Sequence, residues 1–312
     1  MFVVASDEDN VLRFYSWASP GLPIAERDLS EFLGGGGLET DIEAAARVGT
    51  RIFWITSHGR NKQGRVRLAR RRFFATDLVS TAQMPDVLPI GVPYESLLEA
   101  LAVNLRLAEL GLPDSITLTE HRRLELALKN DGNPHPMGIN IEGLATTDGT
   151  SLLIAMRNPL IDGKAIVVPL HHPNALISGE TSAPQLGEPI LLDLGGLGIR
   201  AIQRVDSSAT YLIAAGPAGK GRRSRIFRWE RTGTDIIVPL EKVNLDRLVP
   251  EAIVLDASRS RALLLSDDGG RWVHVDDPGR CRKLKDGLCK CKHLLAPADR
   301  SFRARWIRWD QK

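Results

Sequence analysis

Three glutamates and an arginine recur at one frame of the chain. Glu43 stands in Asp41-Ile42-Glu43-Ala44, Glu142 in Asn140-Ile141-Glu142-Gly143, Glu251 in Pro250-Glu251-Ala252-Ile253 and Arg200 in Gly198-Ile199-Arg200-Ala201. Carboxylates brought to one axis repel unless a cation, a partner arginine or a bound proton compensates them. A hard cation takes carboxylate and amide oxygens, so Glu43, Asn140, Glu142 and Glu251 form a candidate set for a divalent ion such as calcium. Arg200 offers the other solution, a structural plug of ion pairs, and both readings stay open. A second group could move protons and hold an anion. His58, in Ser57-His58-Gly59-Arg60-Asn61, would titrate near neutral pH as a general base. Arg60 or Arg157 could grip a phosphate or carboxylate in bidentate fashion. With Asn158 and Arg200 these make a candidate catalytic set of His58, Arg60, Arg157, Asn158 and Arg200. The plainer reading of His58 is a loop histidine bonded to its own turn.

Other chemistry is weaker. Cys281, Cys289, Cys291 and His293 could bind zinc, but Cys-x-Cys-x-His lacks the usual spacing within ligand pairs, so free thiols in a basic loop are the expectation. Three cysteines do not make a disulfide framework. The four glycines Gly34 to Gly37 are followed by an acidic segment, not by Lys-Ser or Lys-Thr, so they are no phosphate loop. No nucleophile elbow, Walker motif or dinucleotide fingerprint is present. Seven arginines and lysines between Arg60 and Arg72 read as a solvated edge or as a basic rim for an anion, and a net charge of +3 does not call for a nucleic-acid partner. His171-His172 reads as the exposed end of a strand.

These residues need elements to position them, and the elements repeat. After each charged frame come a turn, an apolar strand and a polar loop. The strands are Ile52-Phe53-Trp54-Ile55, Leu152-Leu153-Ile154, Tyr211-Leu212-Ile213 and Ala262-Leu263-Leu264-Leu265. Third strands follow at Arg72-Phe73-Phe74, Ala165 to Val168 and Arg225 to Trp229, and fourth strands at Pro189 to Asp193 and Asp235 to Val238. A four-strand repeat of this length is the pattern of a β-propeller blade. The fold class is therefore all-β: residues 1–312 read as one β-propeller domain of five or six blades, with a β-sandwich as the rival. The frame faces the channel, and the loops after the second strands put Asp7, Asp9, Asp267 and Asp268 on the same rim. Phe2 to Ala5 resembles a second strand, Val11 to Tyr15 a third and Leu29 to Leu33 a fourth. The innermost strand of that blade is not visible, so either the chain begins past it or another segment supplies it. A helical insertion is expected around residues 94–130, from leucine spacing in Tyr94 to Leu110 and Glu120 to Lys129. Residues 173–187 and 276–300 read as irregular. Phe302 to Trp309 alternates as a strand expected near the N-terminal blade.

Asp-Ile-Glu-Ala-Ala-Ala (41 to 46), Ser-His-Gly-Arg-Asn (57 to 61), Asn-Ile-Glu-Gly-Leu-Ala (140 to 145), Arg-Asn-Pro-Leu (157 to 160) and Leu-Gly-Gly-Leu-Gly-Ile-Arg (194 to 200) resemble an uncharacterised bacterial family, domain of unknown function three-six-one-six. The resemblance covers nearly the whole chain. It implies a propeller-like fold and no established activity. Glu-Gly-Leu-Ala is also similar to an element of esterase-like phytase propellers, although Ala44 stands where glycine is common. Together these readings favour a hydrolase acting on a small anionic substrate, a phosphoester or ester, at the axial face, with a divalent cation. The alternative is a non-catalytic binding or scaffold propeller whose axial charges are structural. No apolar run approaches the length of about 20 residues that a membrane helix needs, and Met1-Phe2-Val3-Val4-Ala5 runs straight into acidic residues, so the expected location is cytoplasmic.

Overall fold

The structure, a computed structural model, describes residues 1–17, 21–61, 64–80, 84–117, 138–205, 209–219, 221, 223–256 and 260–309. The first sheet holds β1 (Phe2–Val4), β2 (Val11–Tyr15) and β3 (Ala25–Asp28). A short helix, α1 (Ser30–Leu33), leads into the second, β4 (Ile42–Val48), β5 (Arg51–Thr56), β6 (Phe73–Ser80) and β7 (Pro85–Tyr94). Helices α2 (Leu97–Val103), α3 (Leu105–Glu109) and α4 (Leu112–Thr117) follow. The third sheet is β8 (Asn140–Thr146), β9 (Ser151–Ile161) and β10 (Lys164–His171), with β11 (Gln185–Leu186) and β12 (Ile190–Leu192) both on β10 after helix α5 (Pro173–Ser178). The fourth is β13 (Gly198–Val205), β14 (Thr210–Gly216), β15 (Arg225–Arg231) and β16 (Asp235–Pro239). The fifth begins with β17 (Pro250–Asp256) and β18 (Arg261–Ser266). It then sends out the hairpin β19 (Trp272–His274) and β20 (Leu288–Lys290), and ends with β21 (Ala304–Arg308) on β18. Strand β4 lies beside β8, β8 beside β13 and β13 beside β17. The result is a five-bladed β-propeller with its inner strands side by side.

The apolar residues explain the order. Middle strands are apolar on both faces because each is sandwiched between two blades. Four cores lie between successive blades. Leu12 and Phe14 meet Trp54 and Phe74 between the first and second, and Phe53 and Phe73 meet Ile141 and Ile154 between the second and third. Leu153 and Val167 meet Ile213 and Trp229 between the third and fourth, and Leu212 and Ile226 meet Leu264 and Ile307 between the fourth and fifth. Among the described residues no comparable core joins the fifth blade to the first. There Trp17 stacks on Trp306 at 5.3 Å, Tyr15 meets Phe302 edge-on at 5.4 Å and Lys292 pairs with Glu8 at 2.6 Å.

Several expectations change. Leu29 to Leu33 is not a strand; β3 precedes it and Leu29 and Leu33 bury themselves under the second blade. The helical region is three short helices rather than one, because Asn104 is extended and caps α3, its side chain accepting from the Leu107 amide at 3.1 Å. Leu97, Leu98, Leu101, Leu107 and Leu112 are buried, but Leu105 is 80% exposed. The expected second helix, Glu120 to Lys129, lies outside the described residues. The terminal strand sits near the first blade through Trp306 but hydrogen-bonds to β18, so the two chain ends do not close the ring by pairing. The loop at 173–187 contains α5 and β11, and residues 276–300 are ordered around β20. Cys281 and Cys289 are not free thiols: they form a disulfide and leave Cys291 buried beside it. This takes two of the four side chains proposed for zinc.

A glycine shows how closely the inner strands pack. A Cβ on Gly143 would lie 2.7 Å from the Ala155 Cβ and 2.9 Å from the Ile202 Cγ2. Gly143→Val is expected to lower stability by about 1–3 kcal/mol through overpacking, read by urea denaturation. Denatured without reductant, the chain is expected to take up maleimide at Cys291 alone; after reduction it should take up three. Uptake of three without reductant would remove the disulfide.

Candidate functional site

One backbone irregularity builds the axial site. In β4 the pairing with β5 runs Ile42 to Thr56 and then Ala44 to Ile55, passing over Glu43. In β8 it passes over Glu142, in β13 over Arg200 and in β17 over Glu251. Each charged residue of the repeat is thus the extra residue of a β-bulge. A bulge re-aims a side chain that regular pleating would send to a sheet face, and here all four charges come from the starts of the inner strands.

Arg200 is the hub. Its guanidinium pairs through Nη2 with Glu251 on β17, and its Nε lies 3.3 Å from Oε2 of Glu142 on β8. Glu142 is 4% exposed, and its Oε1 accepts from Asn140 Nδ2 at 2.6 Å and from Arg157 Nη1 at 2.8 Å. Arg157 reaches on to the fourth blade, donating through Nε to the Pro217 carbonyl at 3.1 Å. Gly216 leaves room for Arg200, whose Cδ would be 2.6 Å from a Cβ there. Burial draws the Arg200 pKa below its usual value, with Glu142 opposing. A second set lies around Asp41, whose Oδ2 accepts from the Ser57 hydroxyl and from Arg70 Nη1 at 2.8 Å, while Arg70 also pairs with Glu39. Burial raises the Asp41 carboxyl, and Ser57 and Arg70 pull it back.

Two carboxylates differ from the rest. Glu43 and Asp7 have no hydrogen bond or ion pair among the described residues. Burial, then Glu142, Asp41 and Asp7, hold the Glu43 carboxyl well above the ordinary range against the pull of Arg200. Asp7 is pushed up to about 6 by burial and by Glu8, Asp41 and Asp267, with Lys292 opposing. By accessible surface Glu43 is half-buried and Asp7 is exposed.

The structure therefore brings together Glu142, Asn140, Arg157, Arg200 and Glu251, with Glu43 alongside. It does not bring His58 and Arg60 to them. The His58 ring is buried, its Nδ1 lies 2.8 Å from the Thr56 carbonyl and its Nε2 has no partner. With Arg60, Arg71, Ser115 and Ile116 it lines a small cavity under α2 and α4. Arg60 donates to the carbonyls of Gly64 and Ile116 at 3.3 and 3.4 Å. Asn158 donates to the Gly138 carbonyl beside a cis bond to Pro159. Asp9 is held by Arg13 at 2.7 Å and Asp268 by Arg303 at 2.7 Å, so neither faces the axis as a free carboxylate. Among the described residues no group of three His, Cys, Asp or Glu side chains is spaced to hold a metal ion. Sequence reasoning missed Arg70, Glu39 and Lys292. Arg70 is hidden in the basic run, where its neighbours Arg71 and Arg72 pair elsewhere, with Glu99 and Glu95.

Burial lowers the His58 pKa from 6.5 to about 4, with Arg71 and Arg72 adding to the shift and the Thr56 carbonyl opposing it. Between those values the unfolded chain binds a proton that the fold refuses. Stability from this group is therefore complete above about pH 6.5 and falls as the pH drops towards 4, by about 3 kcal/mol at most. Glu43 and Asp7 act in the opposite sense, since their raised carboxyls keep protons in the fold. Subtracting the His58→Asn pH profile from that of the parent isolates the histidine. The difference in urea stability should shrink between pH 7 and pH 4.5; a constant difference would mean that His58 does not titrate this way.

A comparison with curated proteins finds no match. Among solved structures, the extracellular domain of BT4673 from B. thetaiotaomicron aligns with 88% of this chain at 11% identity and a TM-score of 0.32, and this chain spans 25% of that one. The β-propeller domain of Cps50 (Swd1) from Myceliophteria thermophila aligns with 83% of this chain and 88% of its own, at 9% identity and a TM-score of 0.30. Both likenesses are remote, and the propeller is carried by the blade order itself. Residues 118–259 match the model of the family described as Protein of unknown function (DUF3616), the uncharacterised family that the motifs of this chain resemble.

Proposed function

We propose that this chain is a non-catalytic binding or scaffold propeller in which the axial charges act mainly as ties between blades. One observation carries the reading: Arg200 of the fourth blade is held between Glu142 of the third and Glu251 of the fifth. A guanidinium spent on two carboxylates is poorly placed to bind an anionic substrate, and carboxylates so spent are poor ligands for a metal. The buried His58, neutral at physiological pH and turned into a separate cavity, adds to this.

A hydrolase acting on a small phosphoester or ester with a divalent cation is the second reading, and one observation favours it. Glu43 is an unpartnered carboxylate beside Asp7, and both could receive a cation. Melting after chelation, with calcium, magnesium, manganese or zinc restored, separates the two, because a ligand of the folded state raises its stability. The tie reading expects no rise with any ion, and a loss of about 3 kcal/mol in Arg200→Met, which strands Glu251 and leaves Glu142 to Arg157 and Asn140 alone. A rise with one ion that Glu43→Gln abolishes would overturn it in favour of the metal site.

A further inference from the structure

The loop between β18 and β21 carries the hairpin β19–β20, which pairs with no other strand among the described residues. A two-stranded hairpin is marginal in water by itself. This one is held by the Cys281–Cys289 disulfide and by a small core of Val275, Cys289, Cys291 and Leu294, separate from the cores between blades. Trp272 stands opposite Lys290, Val273 opposite Cys289 and His274 opposite Leu288. Val273 and Cys289 face the small core, so alternation turns Trp272, His274, Leu288 and Lys290 outward. Trp272 and Leu288 are exposed, and so is Leu284. The Lys290 ammonium lies over the Trp272 ring, 5.3 Å from its centre. Arg282, Lys283 and Lys285 are exposed and form no ion pair or side-chain hydrogen bond among the described residues. From Arg282 to His293 five lysines and arginines stand against one carboxylate, Asp286. Asp276 and Asp277 sit by His274 and Arg280. The crowding of positive charge is felt at His293, whose pKa is lowered by burial and then by Lys283, Lys292 and Lys290, with Glu8 opposing.

A second patch of the same kind stands on the same rim. The loop between β5 and β6 and the hairpin both follow the second strand of a blade, so both rise from the end at which the inner strands begin. In that loop Arg65, Val66, Arg67 and Leu68 are exposed in succession, and neither arginine forms an ion pair among the described residues. We propose that this rim docks on an anionic phospholipid membrane. Trp272, Leu284, Leu288 and Leu68 enter the headgroup boundary, and the cations beside them meet the lipid phosphates. Lysine and arginine next to tryptophan and leucine is the composition that the membrane interface favours, since each cation gains from the negative surface while the apolar side chains leave water. A single-stranded nucleic acid fits less well. It needs a series of aromatic faces for its bases, whereas this patch offers one ring already covered by Lys290 and leucines that give a base nothing to stack on. The inference rests on the hairpin and the loop, so it stands whichever way the Arg200 cluster is used.

The test is sedimentation of the full chain with vesicles of phosphatidylcholine alone or with about a third phosphatidylserine. Binding is expected to the anionic vesicles only, and to weaken as salt is raised. Changing Lys283→Gln and Lys285→Gln together should weaken it about fivefold for each lysine removed. Arg47→Gln, in the turn after β4 at the opposite end of the blade, should leave it unchanged. Lipids brominated on their acyl chains should quench tryptophan fluorescence, and Trp272→Phe should diminish that quenching. All the substituted side chains are exposed, and circular dichroism checks that each variant is folded. Equal binding to both kinds of vesicle, binding to neither, an equal loss in Arg47→Gln, or quenching that Trp272→Phe leaves intact would overturn the proposal. So would binding of a single-stranded oligonucleotide in place of vesicles, weakened by the same two lysine changes, which would assign the rim to nucleic acid.

Discussion

The structure depends on a one-residue irregularity placed at the same point of four blades. An inner strand lies between two neighbouring blades, so its faces are committed to apolar packing, as residues 141–145 show. A charge in such a strand would be stranded between sheets. Passing over one residue in the ladder lifts Glu43, Glu142, Arg200 and Glu251 out of that conflict and aims them together. Once they converge, electrostatics leaves few choices. Like charges a few ångströms apart and poorly solvated must pair, protonate or recruit a cation. The chain pairs where Arg200 and Arg157 allow it and keeps a raised carboxyl at Glu43, where neither reaches.

Much of this was legible in the sequence, and the failures have definable causes. The blade repeat could be read because its charged frame, turn and apolar strand recur in order, and the middle strands were found because both their faces are apolar. The bulge itself was visible only indirectly, as a charge interrupting a strand that is otherwise apolar. Which charges pair was not legible, because it depends on how neighbouring blades approach: Arg157 and Arg200 come from different blades and meet on Glu142. His58 was misplaced for a related reason. Its loop does lie at the channel end of the second blade, and Ser57 joins Asp41 there. One residue further on, a positive φ of 55° turns the imidazole away beneath the helices. Direction, unlike position along the chain, leaves little trace in residue type.

The helical region and the cysteines carry the same lesson. Leucine spacing predicted a helical face correctly as apolar, but Asn104 broke the register, so Leu105 points outward while Leu107 and Leu112 return to the core. The disulfide joins residues only 8 apart in sequence, inside a small hairpin with its own buried cluster. Counting cysteines could not distinguish a framework from one local staple.

The seam between the fifth blade and the first has a consequence for how the molecule assembles. Every other blade junction joins neighbours in sequence, whereas Lys292 and Glu8 are 284 positions apart. Contacts so distant along the chain must pay the entropy of closing nearly the entire polypeptide before they return anything. With aromatic edges in place of a core, the seam is where the ring should join last and breathe first. The toroid then behaves less like a rigid wheel than like a sprung collar, stiff through blades two to four and compliant at its single split.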